Sequence, residues 1–145
     1  MVQRRIEMTM RIARRVLDEI HAHAESTYPA ECCGLLIADK GRMIIESMRV
    51  ANAYSGTRRD RYDINPLELL DADRTVSHRE LSIAGVYHSH PDFPASLSAF
   101  DLAHSFPWYS YLVVSVPKGR VGDTKSWIPS LDRKTAAEDD IEVGE

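Results

Sequence analysis

The chain has no apolar run approaching the ~20 residues of a membrane-spanning helix. Its 145 residues include only two cysteines, and these are neighbours, Cys32 and Cys33. Such a pair builds no disulfide framework. Adjacent residues on a strand face opposite ways, so the two thiols cannot share a metal either. They read as small buried residues of a core strand. No long basic block occurs and the formal net charge is -4, so there is no electrostatic footprint for nucleic acid. The short cluster Arg58, Arg59 and Arg61 reads as a solvated loop. Charges near the N-terminus are followed by no apolar segment, so no signal peptide is expected and the expected location is the cytoplasm.

What is present is an ordinary globular composition, 43% hydrophobic and 28% charged. The length suits one domain with a real core. Alternation predicts a strand over Arg5–Met10, and the stripe Ile12, Val16, Leu17, Ile20 and Ala24 predicts a helix over Met10–Ser26. Strands are expected at Cys32–Ala38 and Met43–Val50, with a short one at Arg61–Ile64. Asn65, Pro66 and Glu68 mark a helix start as N-cap, first position and N3, and that helix runs to about Ser77. Leu81–His90 reads as a buried strand, Ser98–Ser105 as a short helix, and Trp108–Val116 and Thr124–Ile128 as closing strands. The expected fold class is α/β or α+β, with one mixed sheet flanked by helices. The domain is expected over residues 1–134, and the acidic stretch 135–145 is expected to fray as a flexible tail.

The richest stretch is His88-Ser-His-Pro-Asp-Phe-Pro-Ala-Ser-Leu-Ser-Ala-Phe-Asp101. On a strand, His88 and His90 project from one face and can aim at one point. Two neutral imidazoles and the carboxylate of Asp101 would make a three-ligand zinc site with one position open for water, the layout of a hydrolytic centre. A mononuclear iron centre also uses two histidines and a carboxylate. His21 and His23 share the same spacing but lie on the predicted helix, where two residues subtend about 200° and face apart. They are expected at the surface or its rim. Ser98 and Asp101 also fit a capping box, with Ser98 as N-cap. In the functional reading Asp101 ligates metal from the first helical turn, and Ser98 holds its hydroxyl near a developing oxyanion. Glu31, at the mouth of a strand, is the candidate general base. Trp108 and Trp127 are expected in core or rim packing, and His104 at the surface near a helix end.

Together these residues resemble the JAMM (MPN+) metallopeptidases. His88, His90, Pro91, Ser98 and Asp101 match that family's His-x-His-Pro, six residues, Ser-x-x-Asp pattern. Glu31-Cys-Cys-Gly-Leu-Leu36 resembles its upstream glutamate motif. The resemblance covers most of the chain and implies a cytidine-deaminase-like fold. It implies Zn²⁺ held by His88, His90 and Asp101, with Glu31 acting as base and then acid and Ser98 supporting the tetrahedral intermediate. The substrate it implies is an amide or isopeptide bond after the C-terminal Gly-Gly of a ubiquitin-like or sulfur-carrier protein. The leaving group is then an amino acid, a C-terminal extension or a conjugated protein. No nucleic-acid or membrane partner is expected. The alternative is a non-catalytic MPN-type interaction module. A nucleoside deaminase would need His-x-Glu and Pro-Cys-x-x-Cys, and neither is present. A cysteine hydrolase built on Cys32 or Cys33 would be insensitive to chelators.

Overall fold

The computed structural model describes residues 9–58 and 61–145. Its strands are β1 (Thr9–Ala13), β2 (Cys33–Ala38), β3 (Met43–Val50), β4 (Ser82–Pro91), β5 (Ser110–Val116), β6 (Thr124–Pro129) and β7 (Ala136–Gly144). The helices are α1 (Arg14–Thr27), α2 (Pro66–His78) and α3 (Ala99–Ala103). The strands run in the order β1-β3-β2-β4-β5-β6-β7, and the sheet closes on itself because β1 also pairs with β7.

β2 is apolar along its whole length, and β4 from Ile83 to Tyr87, because both faces of this part of the sheet are covered. Alternate residues go to opposite cores. Cys32, Leu36, Ala38 and Tyr87 join the core that includes Val16 and Ile20 of α1. Cys33, Leu35, Ile37 and Val86 join the one that includes Ala72 and Val76 of α2. The two cysteines therefore do face apart, and both are buried. Two glycines allow close approach. A Cβ on Gly85 would fall 1.9 Å from the Ser110 carbonyl oxygen on β5, and one on Gly34 would fall 2.2 Å from the Tyr87 ring.

β4 pairs antiparallel with β2 and parallel with β5. A parallel pair requires a crossover, and the chain between β4 and β5 carries α3. The crossover holds α3 near the C-terminal end of β4, the edge where sheets of this kind bind ligands.

Four expectations change. The first strand is Thr9–Ala13, so Met10 and Ile12 are strand residues, and Arg5–Met8 lie outside the described residues. Arg61–Ile64 is not a strand. The stretch 135–145 is no frayed tail, because Ala136–Gly144 forms β7 between β6 and β1. Composition misleads there because two sheet partners satisfy the backbone of an acidic segment, whose Ile141 and Val143 pack against the core. His23 is buried rather than peripheral: its Nδ1 lies 2.7 Å from the Tyr87 hydroxyl, across the face where α1 meets β4.

Candidate metal centre

β4 places His88 and His90 on one face, with Nε2 atoms 3.2 Å apart. Asp101 comes from the first turn of α3. Its Oδ2 lies 3.2 Å from His88 Nε2 and 3.1 Å from His90 Nε2. The three atoms form a nearly equilateral triangle. A tetrahedral ion with ligands at about 2.0–2.1 Å separates them by about 3.3 Å, which is one face of such a site. All three side chains are buried.

His90 Nδ1 lies 2.8 Å from the Pro94 carbonyl oxygen, which can only accept. Nδ1 therefore donates to that carbonyl, and Nε2 faces Asp101. Burial alone would raise the Asp101 carboxyl. The charge of His88 and hydrogen bonds from His88, His90 and the Ser98 N–H hold it well below the usual carboxylate range. Burial pushes His88 down, against the pull of Asp101. An ionised oxygen and an imidazole nitrogen 3.1 Å apart need a positive charge between them, supplied by a proton or by a metal ion. Asp101 Oδ1 and His88 Nδ1 are buried without a hydrogen-bond partner among the described residues. The donor set thus fits a zinc-sized ion with an open fourth position.

Among the described residues, Glu31 joins the two histidines in a group whose candidate ligand atoms lie within 4.8 Å of one another. It stands immediately before β2, 2% exposed. Its approach is set by residues that sequence reading passed over. Ser89, between the two histidines, faces the other way; its Oγ accepts from the Cys32 N–H at 2.9 Å, and its own N–H donates to the Cys32 carbonyl. Asn52 uses its amide fully. Nδ2 donates to the carbonyls of Glu31 and Arg61, and Oδ1 accepts from the N–H groups of Tyr54 and Asp63. Tyr62 stacks on His88 with ring centroids 4.4 Å apart. The signal for Asn52 lay in its type, since Asn in a loop often organises backbone through its side chain. Nothing local marks Tyr62 or Ser89.

Of the two readings of Ser98 and Asp101, the capping box is present. Ser98 Oγ accepts from the Asp101 N–H at 3.0 Å, and Asp101 Oδ2 accepts from the Ser98 N–H at 3.0 Å, a complete capping box. The cap fixes the carboxylate that faces the histidines. It leaves the Ser98 hydroxyl proton free to donate into a cleft of about 290 Å³ lined also by Glu31, Arg61, His90 and Phe93. His104 is at the surface, its Nδ1 against the Phe100 carbonyl. Trp127 is part-buried and donates to the Ala95 carbonyl. Trp108, in contrast, is 72% exposed and stacks on Phe106 rather than filling the core. Arg58 is an exposed loop residue, as expected, with its Nε donating to the Tyr54 carbonyl, whereas Arg61 is half-buried in the cleft; Arg59 lies outside the described residues.

The fold and this donor cluster place the chain among domains that build a metal centre at a strand end. The profile described as prokaryotic homologs of the JAB domain matches residues 13–128, and the chain belongs to that family. A protein of Haloferax volcanii named desampylase is 27% identical over 122 residues, 83% of this chain and 87% of its own length. A Thermus thermophilus protein named as a probable TtuB-protein conjugate cleaving protease is 30% identical over 95 residues, covering 66% of this chain and 62% of that one. A phage N15 tail tip assembly protein K is 29% identical over 126 residues, and there the chain spans only 47% of the relative's length. A solved structure of a Salinibacter ruber protein is 33% identical, with a TM-score of 0.71 over 94% of this chain and 92% of that one.

Proposed function

We propose that this chain is a zinc-dependent peptidase or isopeptidase that hydrolyses the bond after the C-terminal Gly-Gly of a small ubiquitin-like or sulfur-carrier protein. The observation that carries the reading is the triangle of His88 Nε2, His90 Nε2 and Asp101 Oδ2, with the Glu31 carboxylate beside it. The desampylase and the conjugate-cleaving protease support the substrate class. His88, His90 and Asp101 would hold the ion. When bound, zinc polarises a carbonyl and lowers the pKa of water to about 7.

The chain's own residues do the rest. Glu31 takes the proton from the attacking water as its oxygen bonds to the scissile carbonyl carbon. The Ser98 hydroxyl donates a hydrogen bond to the carbonyl oxygen as negative charge develops there. The C–N bond then breaks, and Glu31 delivers the proton to the leaving nitrogen. The Asn52 and Ser89 hydrogen bonds hold the peptide that joins Glu31 to Cys32, so that one carboxylate can serve both steps.

The test is a purified sulfur-carrier protein bearing a C-terminal Gly-Gly-Cys extension, incubated with the zinc-loaded chain and read by intact mass. The expected result is a drop to the Gly-Gly form, abolished by chelation. A full-length carrier after exhaustive incubation with stoichiometrically loaded protein would count against the peptidase reading.

A further inference from the structure

We infer that Arg61 binds the α-carboxylate of the leaving group, which makes a single amino acid joined through its own α-amine the preferred product. The inference rests on the peptidase reading. Arg61 lines the same cleft as Glu31, His90 and Ser98 and is the sole permanent cation among the described residues lining it. Its guanidinium carbon sits 4.5 Å from the centre of the Phe100 ring, next to Asp101 on α3, so the head group is held in place by a face contact. That contact leaves the guanidinium N–H edge open, and among the described residues neither a hydrogen-bond acceptor nor a carboxylate is paired with it. Arg58 differs, since its Nε is spent on the Tyr54 carbonyl.

Asn52 supplies the link to the chemistry. Its Nδ2 bonds the Arg61 carbonyl at 2.9 Å and the Glu31 carbonyl at 3.2 Å. One side chain therefore sets the cation relative to the group that protonates the leaving nitrogen. The Gly-Gly tail on the acyl side carries no charge. On the amine side, an α-linked amino acid carries a carboxylate two bonds from the scissile nitrogen. A lysine side chain of a conjugated protein offers only methylenes there. A guanidinium next to the proton donor therefore discriminates between these leaving groups.

The experiment uses N-acetyl-Gly-Gly-Ala as free acid and as C-terminal amide, against the zinc-loaded wild type and the Arg61→Gln and Arg61→Lys variants. Binding is followed by NMR titration and cleavage by mass. The wild type is expected to bind the acid about tenfold or more tightly than the amide, as for a charge-assisted hydrogen bond. In Arg61→Gln that ratio collapses towards one, and in Arg61→Lys part of it returns. Zinc's own affinity for carboxylate is common to all three proteins and drops out of the comparison. Equal binding of acid and amide by the wild type, or an unchanged ratio in Arg61→Gln, overturns the inference whether or not the peptides are cut. Arg61-dependent binding without any cleavage of peptides or carrier would sink the peptidase reading and leave the carboxylate site standing.

Discussion

His88 and His90 on β4, and His21 and His23 on α1, have the same spacing and opposite fates. The strand pair converges, with ring nitrogens 3.2 Å apart. The helical pair splits: His23 reaches through the core to the Tyr87 hydroxyl, while His21 contacts Thr124 Oγ1 on β6. Spacing alone therefore predicts no chelate; the period of the backbone converts it into a direction. A histidine's burial does not separate the pairs either, since His23 is buried against Tyr87 while His88 is buried against His90 and Asp101.

The largest expected effect tests this contrast directly. His88→Ala loses stoichiometric zinc on dialysis and with it all turnover, whereas His23→Ala keeps zinc, as read by elemental analysis. Metal retained in His88→Ala would break the ligand assignment. Next in size, Glu31→Gln keeps zinc and loses turnover by about 10²–10⁴-fold, the range of a general base. Turnover at the wild-type rate would remove Glu31 from the chemistry. Ser98→Ala has two readouts because Ser98 has two partners. It should cost about 1 kcal/mol of stability through the lost cap and about 10²-fold in rate through the lost donor. A stability loss with an unchanged rate would reduce Ser98 to a cap.

The smallest effect belongs to the core pair. His23→Ala strands the Tyr87 hydroxyl and should cost about 1–3 kcal/mol by chemical denaturation. It should also change the pH dependence of stability. Burial, assisted by the charge of Arg49, pushes His23 down from 6.5 to about 4. Between those values the unfolded chain binds the proton more readily, so stability is complete above about 6.5 and declines as pH falls towards 4. Asp139 contributes the opposite slope: burial raises its carboxyl to about 6, which favours the folded state as pH falls through that value. Both proteins contain Asp139, so the difference between wild type and His23→Ala isolates the histidine. Parallel pH curves would show that His23 is not the neutral buried group its contacts imply.

The legible parts of the sequence were those where a local rule and the tertiary demand agree. Asn65, Pro66 and the following turn marked the start of α2, and Asn65 does cap it, its Oδ1 accepting from the Leu67 N–H. The apolar run through Tyr87 marked a strand covered on both faces. At Ser98 and Asp101 two readings competed; the capping box is formed, and a capped carboxylate is also an oriented one. The acidic stretch after Thr135 was illegible because pairing with β1 and β6 lies outside its own composition. Asn52 was illegible as an organiser because its four partners come from Glu31, Tyr54, Arg61 and Asp63.

By itself the sequence determined the donors: two imidazoles two residues apart on a strand, a carboxylate in the first turn of a short helix, and a glutamate at a strand mouth. These follow from backbone periods and short-range capping, which act over a few residues. Only the tertiary structure decided that the donors meet. The parallel pairing of β4 with β5 requires a crossover, and that crossover carries Asp101 onto the two histidines. The pairing of β2 with β4 places Glu31 beside them, and Asn52 ties Arg61 to the same edge. Distances between residues far apart in the chain are set by sheet register and packing, and no local pattern encodes them.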